Sequence, residues 1–196
     1  PLPPSTPTFS MLSKRSSIAI RTAVACRQMS AASPVQLQQY RKTASDRLLD
    51  HMAKVAAKAH AKGELEQSTE LYEHLVSARR QRHGDIHPLT LQAICGLSHV
   101  HKDRGDLELA EVLAREATSA TVETLGSKHP DALRQLSNLA AVLTRQNKFD
   151  EAEATARDAL DGYRVVLGDG HADTEQAKSE HGWIVLMAQS GKQSHT

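Results

Sequence analysis

Three segments of the chain repeat at one fixed interval, and that interval constrains the fold more than anything else in the sequence. RHGDIHPLTL starts at Arg82, TLGSKHPDAL at Thr124 and VLGDGHADTE at Val166, each 42 residues after the one before. Gly84, Gly126 and Gly168 keep this spacing, as do His87, His129 and His171, and Pro88 and Pro130 share it. A second anchor, Gly63, Gly105 and Asn147, recurs with the same period between the first set. A unit this short cannot bury an apolar face by itself, so the copies must stack into a solenoid.

The residues between the anchors read as helices. In the third unit Leu133, Leu136, Leu139, Ala140 and Leu143 form one stripe of a 3.6-residue period. A partner stripe follows in Phe149, Ala152, Ala156, Ala159 and Leu160. Gly105 and Asn147 suit the left-handed residue that ends a first helix, while Pro88 and Pro130 suit the opening position of the next. The fold class is therefore all-α, a solenoid of antiparallel helix pairs with about three and a half units. The units are expected at 45–86, 87–128 and 129–170, with a half unit or capping helix at 171–192 and a tail at 193–196. In the half unit Trp183, Leu186 and Gly191 align with Leu139, Val142 and Asn147 if two residues are inserted near 172–181. Hydrophobic residues at 39% with aromatics at only 3% fit closely packed helices better than a β-sandwich.

These units resemble the tetratricopeptide repeats of kinesin light chains and of the nephrocystin-like and fungal proteins that share the longer repeat. The likeness rests on LGSKHPDAL, on LSNLAAVLTRQNKFDEAEATARDAL and on their copies, over roughly residues 45–192. It implies a right-handed superhelix whose concave face, lined by the first helix of each unit, holds an extended or helical peptide. Family groove positions fall on Lys54, His99, Lys102, Arg134, Asn138 and Arg145. Asn138 stands where family members use Asn to hold a ligand backbone. Its counterparts are read as Gly96 in the second unit and Gly182 in the fourth, so the Asn ladder is incomplete. The basic side chains imply an acidic or C-terminal carboxylate ligand. Trp183, Ile184, Val185, Leu186 and Met187 make the last helix apolar on more than one face, which points to an end-on interface, with Trp183 and Met187 as its candidates, or to self-association there.

The function expected is thus a non-catalytic scaffold or adaptor that binds proteins. The alternative is a structural subunit or assembly factor of a larger complex. No cofactor, metal or catalytic residue is expected. His99 and His101, two apart on a helix, diverge rather than converge on one ion, and His83 is not repeated in the other units. No phosphate-cradling loop, nucleophile elbow or HExxH occurs. Cys26 and Cys95 have no CxxC pairing, which argues against a disulfide framework. The net charge of +1 gives no footprint for nucleic acid, and no apolar run reaches the ~18 residues of a membrane span.

Residues 1–44 are a different kind of sequence, rich in Ser, Thr and Pro and without an acidic residue. From Met11 the run MLSKRSSIAIRTAVACRQMSAASP has the composition of a mitochondrial presequence. A matrix destination is expected on that ground, with a basic disordered tail of a cytoplasmic protein as the alternative.

Overall fold

The computed structural model describes residues 34–193, with side chains described from 45 to 190. The presequence expected from Met11 therefore falls, up to residue 33, outside the described residues. Seven helices follow one another: α1 (Pro34–Ala61), α2 (Leu65–His83), α3 (Pro88–Arg104), α4 (Leu107–Leu125), α5 (Pro130–Arg145), α6 (Phe149–Leu167) and α7 (Ala172–Gln193). No strand occurs among the described residues. Contacts divide the chain into a unit ending at Leu48 and a unit from Leu49 to Thr196, and the second holds the repeats but for the expected residues 45–48 of the first. The opening helix starts at Pro34, upstream of the expected 45. Proline is suited to a first helical position, and VQLQQYRK continues it with good helix formers.

From α2 onward each helix packs on the next, and α3 also touches α5, the first helix of the following unit. The turns have the geometry that the period requires. Gly63, Gly105 and Asn147 take positive φ at 79°, 95° and 61°. At the second of these, both Gly105 N–H and Asp106 N–H donate to the His101 carbonyl, at 3.0 and 2.9 Å, closing the helix end.

Small residues sit where the two helices of a unit cross. Ala56 meets Ser68, Ser98 meets Ala110, and buried Ala140 and Ala152 hold the same places in the third unit. The Ser68 hydroxyl donates to Ala56 O at 3.0 Å and the Ser98 hydroxyl to Ala110 O at 2.7 Å. The hydroxyl thus comes from the second helix in one unit and from the first in the next, and the third uses none. Each arrangement brings the backbones close without an unpaired buried group.

The last helix keeps the 42-residue register, and the two-residue insertion is not present. His171 caps α7 as His129 caps α5, and Thr174, Ala177 and Ile184 are buried at 1%, 4% and 3%. These are the equivalents of Ala132, Gln135 and Val142, all buried. Matching Trp183 to Leu139 favoured apolar identity over burial; the buried residue is its neighbour Ile184. Gly182 then occupies the crossing position of Ala56, Ser98 and Ala140, and a Cβ there would meet nothing within 4 Å.

Candidate functional site: a groove along the first helices

With the register settled, α3, α5 and α7 present equivalent faces side by side. Two adjoining clefts lie between them. The first, about 370 Å³, is bordered by His99, Lys102, Arg134, Asn138, Tyr163 and Glu180, with Asp131 and Asp173 at its end. The second, about 440 Å³, is bordered by Lys102, Ala141, Arg145, Trp183 and Ile184, with Asp103 and Glu180 at its edge. Lys102, Ser137, Ala141 and Glu180 border both.

Five of the six expected groove residues come together there. Lys54 does not: it lines a separate cleft of about 360 Å³ with Asp50, Tyr72 and Arg79. Trp183, expected at an end-on interface, stands in the wall of the second cleft and is 51% exposed. In register it is the counterpart of Ala141 and His99, both groove positions. Met187 lies one turn further along, 38% exposed, at the level of Arg145.

The side chains are not equally available to a ligand. Asn138 Nδ2 donates to Cys95 Sγ at 3.0 Å, so its amide is partly engaged within the protein. Arg134 is tied to Asp131 at 2.6 Å. Arg145 reaches only the Lys102 carbonyl, at 3.4 Å, and neither Lys102 nor Arg145 makes an ion pair among the described residues. One junction earlier, the equivalent positions hold His60 and Asp103, which are joined at 2.8 Å. Two like charges thus replace an internal pair and leave the cation demand open. Burial, then Lys102, holds the His99 imidazole below its ordinary pKa, and burial raises the Cys95 thiol despite nearby Arg134. A thiol so placed is a poor nucleophile.

The groove also has an acidic side, which the two-residue insertion does not place there. In the 42-residue register the counterpart of Asn138 is Glu180, not Gly182, and that of Arg134 is Gln176. Glu180 accepts from Gln176 at 2.8 Å and pairs with no Lys or Arg among the described residues. Asp173 lies 3.6 Å from His171 Nδ1, which already accepts the Asp173 backbone N–H at 3.2 Å. Burial raises the Tyr163 phenol, and Asp173 adds to the effect.

The gap in the Asn ladder has a steric cause. A Cβ on Gly96 would lie 2.4 Å from Tyr72 Cε1 and 2.6 Å from Cζ. In the next unit Ala114 takes the place of Tyr72, which leaves room for Asn138. The recurring histidines are also structural. Nδ1 of His87, His129 and His171 accepts the backbone N–H of Leu89, Asp131 and Asp173 at 3.1–3.2 Å, capping α3, α5 and α7. No grouping of three metal-ligating side chains occurs among the described residues, and no helix among them is long and apolar enough to cross a membrane.

Comparison with known proteins agrees with this geometry. Residues 90–131 and 133–173 match the tetratricopeptide repeat family. No curated protein matches the chain significantly. Among solved structures it is similar to a candidate kinesin light chain of Podosopora anserina built from nearly identical TPR-like repeats. There the TM-score is 0.68 and the identity 19%, over 74% of this chain and 69% of that one. A single-substitution variant of that protein gives the same score and identity over 68% of its length. BtubC (BKLC) from P. vanneervenii is similar at a TM-score of 0.63 and 19% identity, over 94% of this chain and 71% of that one. At such identities the likeness establishes the fold.

Proposed function

We propose that the chain, whose residues 90–131 and 133–173 match the tetratricopeptide repeat family, is a scaffold whose groove between α3, α5 and α7 captures a segment of a partner protein. Repeats of this kind are non-enzymatic interaction modules. The observation that carries the reading is the second cleft, where an exposed Trp183 stands beside Lys102 and Arg145, two cations without an ion pair among the described residues. Cations on or just before the second helices are satisfied internally: Arg80 by Glu116, Arg115 by Glu151 and Lys148 by Glu111. Trp and Arg are among the residue types that dominate interface hot spots.

Tagged full-length protein and its Trp183→Ala and Lys102→Glu plus Arg145→Glu variants would be compared by proximity labelling and co-purification. The groove reading expects one set of partners to be lost from both variants. Retention of every partner by both would sink it.

A structural-subunit role draws on a different surface. Leu109 and Val112, one turn apart on α4, are 46% and 62% exposed. That role predicts partner loss with Val112→Asp and not with Trp183→Ala. A mitochondrial destination rests on the basic, acid-free stretch after Met11 alone. A fluorescent fusion of residues 11–45 that stays in the cytosol would remove it.

A further inference from the structure

Arg134 is paired with Asp131 and Asp103 with His60; apart from these two, the groove's charges are sorted along its length. Asp131 and Asp173 belong to the first turns of α5 and α7, and Glu180 lies midway along α7. Lys102 and Arg145 belong to the last turns of α3 and α5. Trp183 stands between Glu180 and the level of Arg145. Helix dipoles favour acids at first turns and bases at last turns, which covers the two aspartates and the two cations. They do not cover a mid-helix glutamate or an exposed tryptophan. Nor do internal pairs absorb these groups, since Glu180, Lys102 and Arg145 each lack one among the described residues.

We propose that the groove selects a charge-polarised segment, with a basic side chain at one end, an apolar side chain over Trp183 and an acidic side chain at the other end. A uniformly acidic segment would place a carboxylate against Glu180 in both clefts. The inference rests on the groove reading above and narrows its ligand. The spacing follows from helix geometry: from Glu180 to Met187, level with Arg145, is about 10 Å at 1.5 Å per residue. An extended chain covers that in about three to five residues.

The test uses full-length protein and dye-labelled peptides with blocked termini, read by fluorescence anisotropy at low salt. The probes are Arg-Ala-Leu-Ala-Glu, its reverse order, Glu-Ala-Leu-Ala-Glu and Arg-Ala-Leu-Ala-Arg. One of the two polarised orders is expected to bind about tenfold tighter than either uniform peptide, the factor for roughly one net charge contact. Glu180→Lys should shift the preference to the all-acidic peptide, and Lys102→Glu with Arg145→Glu to the all-basic one. These positions are exposed or half-buried, so helix content by circular dichroism should not change. If the all-acidic peptide binds wild type as well as the polarised ones, the polarity is overturned and the groove stands. If no peptide binds, or if Trp183→Ala leaves all binding unchanged, both readings fail together.

Discussion

Replacing Gly96 by Ala tests the packing argument through the sign of a stability change. Gly96 is inside α3, where Gly costs roughly 0.5–1 kcal/mol relative to Ala, so helix propensity alone predicts stabilisation. The structure predicts the opposite. A Cβ would sit 2.4 Å from Tyr72 Cε1, 2.6 Å from Cζ and 2.9 Å from the hydroxyl, all closer than real contacts allow. Tyr72 packs against the cluster of Leu49, Leu75, Leu91 and Ile94, so its ring cannot swing away freely. Overpacking of this kind costs about 1–3 kcal/mol, which leaves a net loss of roughly 0–2 kcal/mol. In a Tyr72→Ala background the obstacle is gone, and the same substitution should then stabilise by roughly 0.5–1 kcal/mol. The pair is thus expected to couple by about 1–3 kcal/mol, as residues in contact do. Urea unfolding of the four proteins, followed by circular dichroism at the helix band, measures the cycle. Stabilisation by Gly96→Ala in both backgrounds, with additive effects, would refute the claim that Tyr72 dictates the glycine.

Three further outcomes follow from local geometry. His129→Ala removes the acceptor for the Asp131 N–H and should cost about 1 kcal/mol, with His129→Asn restoring most of it in the same urea assay. Ser98→Ala should cost about 1 kcal/mol through loss of the hydrogen bond to Ala110 O, while Ala140→Ser, lacking any such loss, should not mirror it. The His99 imidazole has a folded pKa held below its unfolded value by burial and Lys102. The unfolded chain therefore binds more protons as pH falls through the ordinary histidine range, and stability must decline in that direction. It is retained in full above that range. His99→Gln should flatten the slope of stability against pH there; an unchanged slope would show that other groups carry it.

The parts of the fold that were legible in the sequence are those where one residue type satisfies one backbone demand. Gly105 and Asn147 mark helix ends because positive φ excludes most other residues, and Pro130 after a capping His marks a start. Apolar stripes gave the helix faces for the same reason: burial of Leu133, Leu139 and Leu143 has no substitute in this core. Legibility failed where a demand can be met in two ways. The hydroxyl at the helix crossing moves from Ser68 to Ser98 between units, so neither position shows a regular spacing of Ser. The missing Asn at Gly96 is a response to Tyr72, which is distant in sequence and invisible to a period. In the groove, residue type marked the cations, but whether each is free depends on partners such as Asp131, which only the folded structure brings together.

The last helix, α7, is where register and residue type conflict most, and it can be tested with the protein's own chromophore. Trp183 is the single tryptophan of the chain, so its fluorescence reports on α7 alone. If two residues were inserted, Trp183 would take the core position of Leu139, which is 6% exposed, and Ile184 the crossing position of Ala140. With the 42-residue register, Ile184 is 3% exposed and Trp183 is 51% exposed. Emission should then be that of a largely hydrated indole and should be quenched readily by acrylamide in the folded protein. Trp183→Ala should change stability by no more than about 0.5 kcal/mol, as surface substitutions do. Ile184→Ala should cost about 2–5 kcal/mol, the range for emptying a core site. A blue-shifted, protected tryptophan, or a larger loss at Trp183 than at Ile184, would reverse the register. Glu180 and Trp183 would then leave the groove together, and the polarity drawn from them would go with the register. The positions of Lys102 and Arg145, set by α3 and α5, would not change.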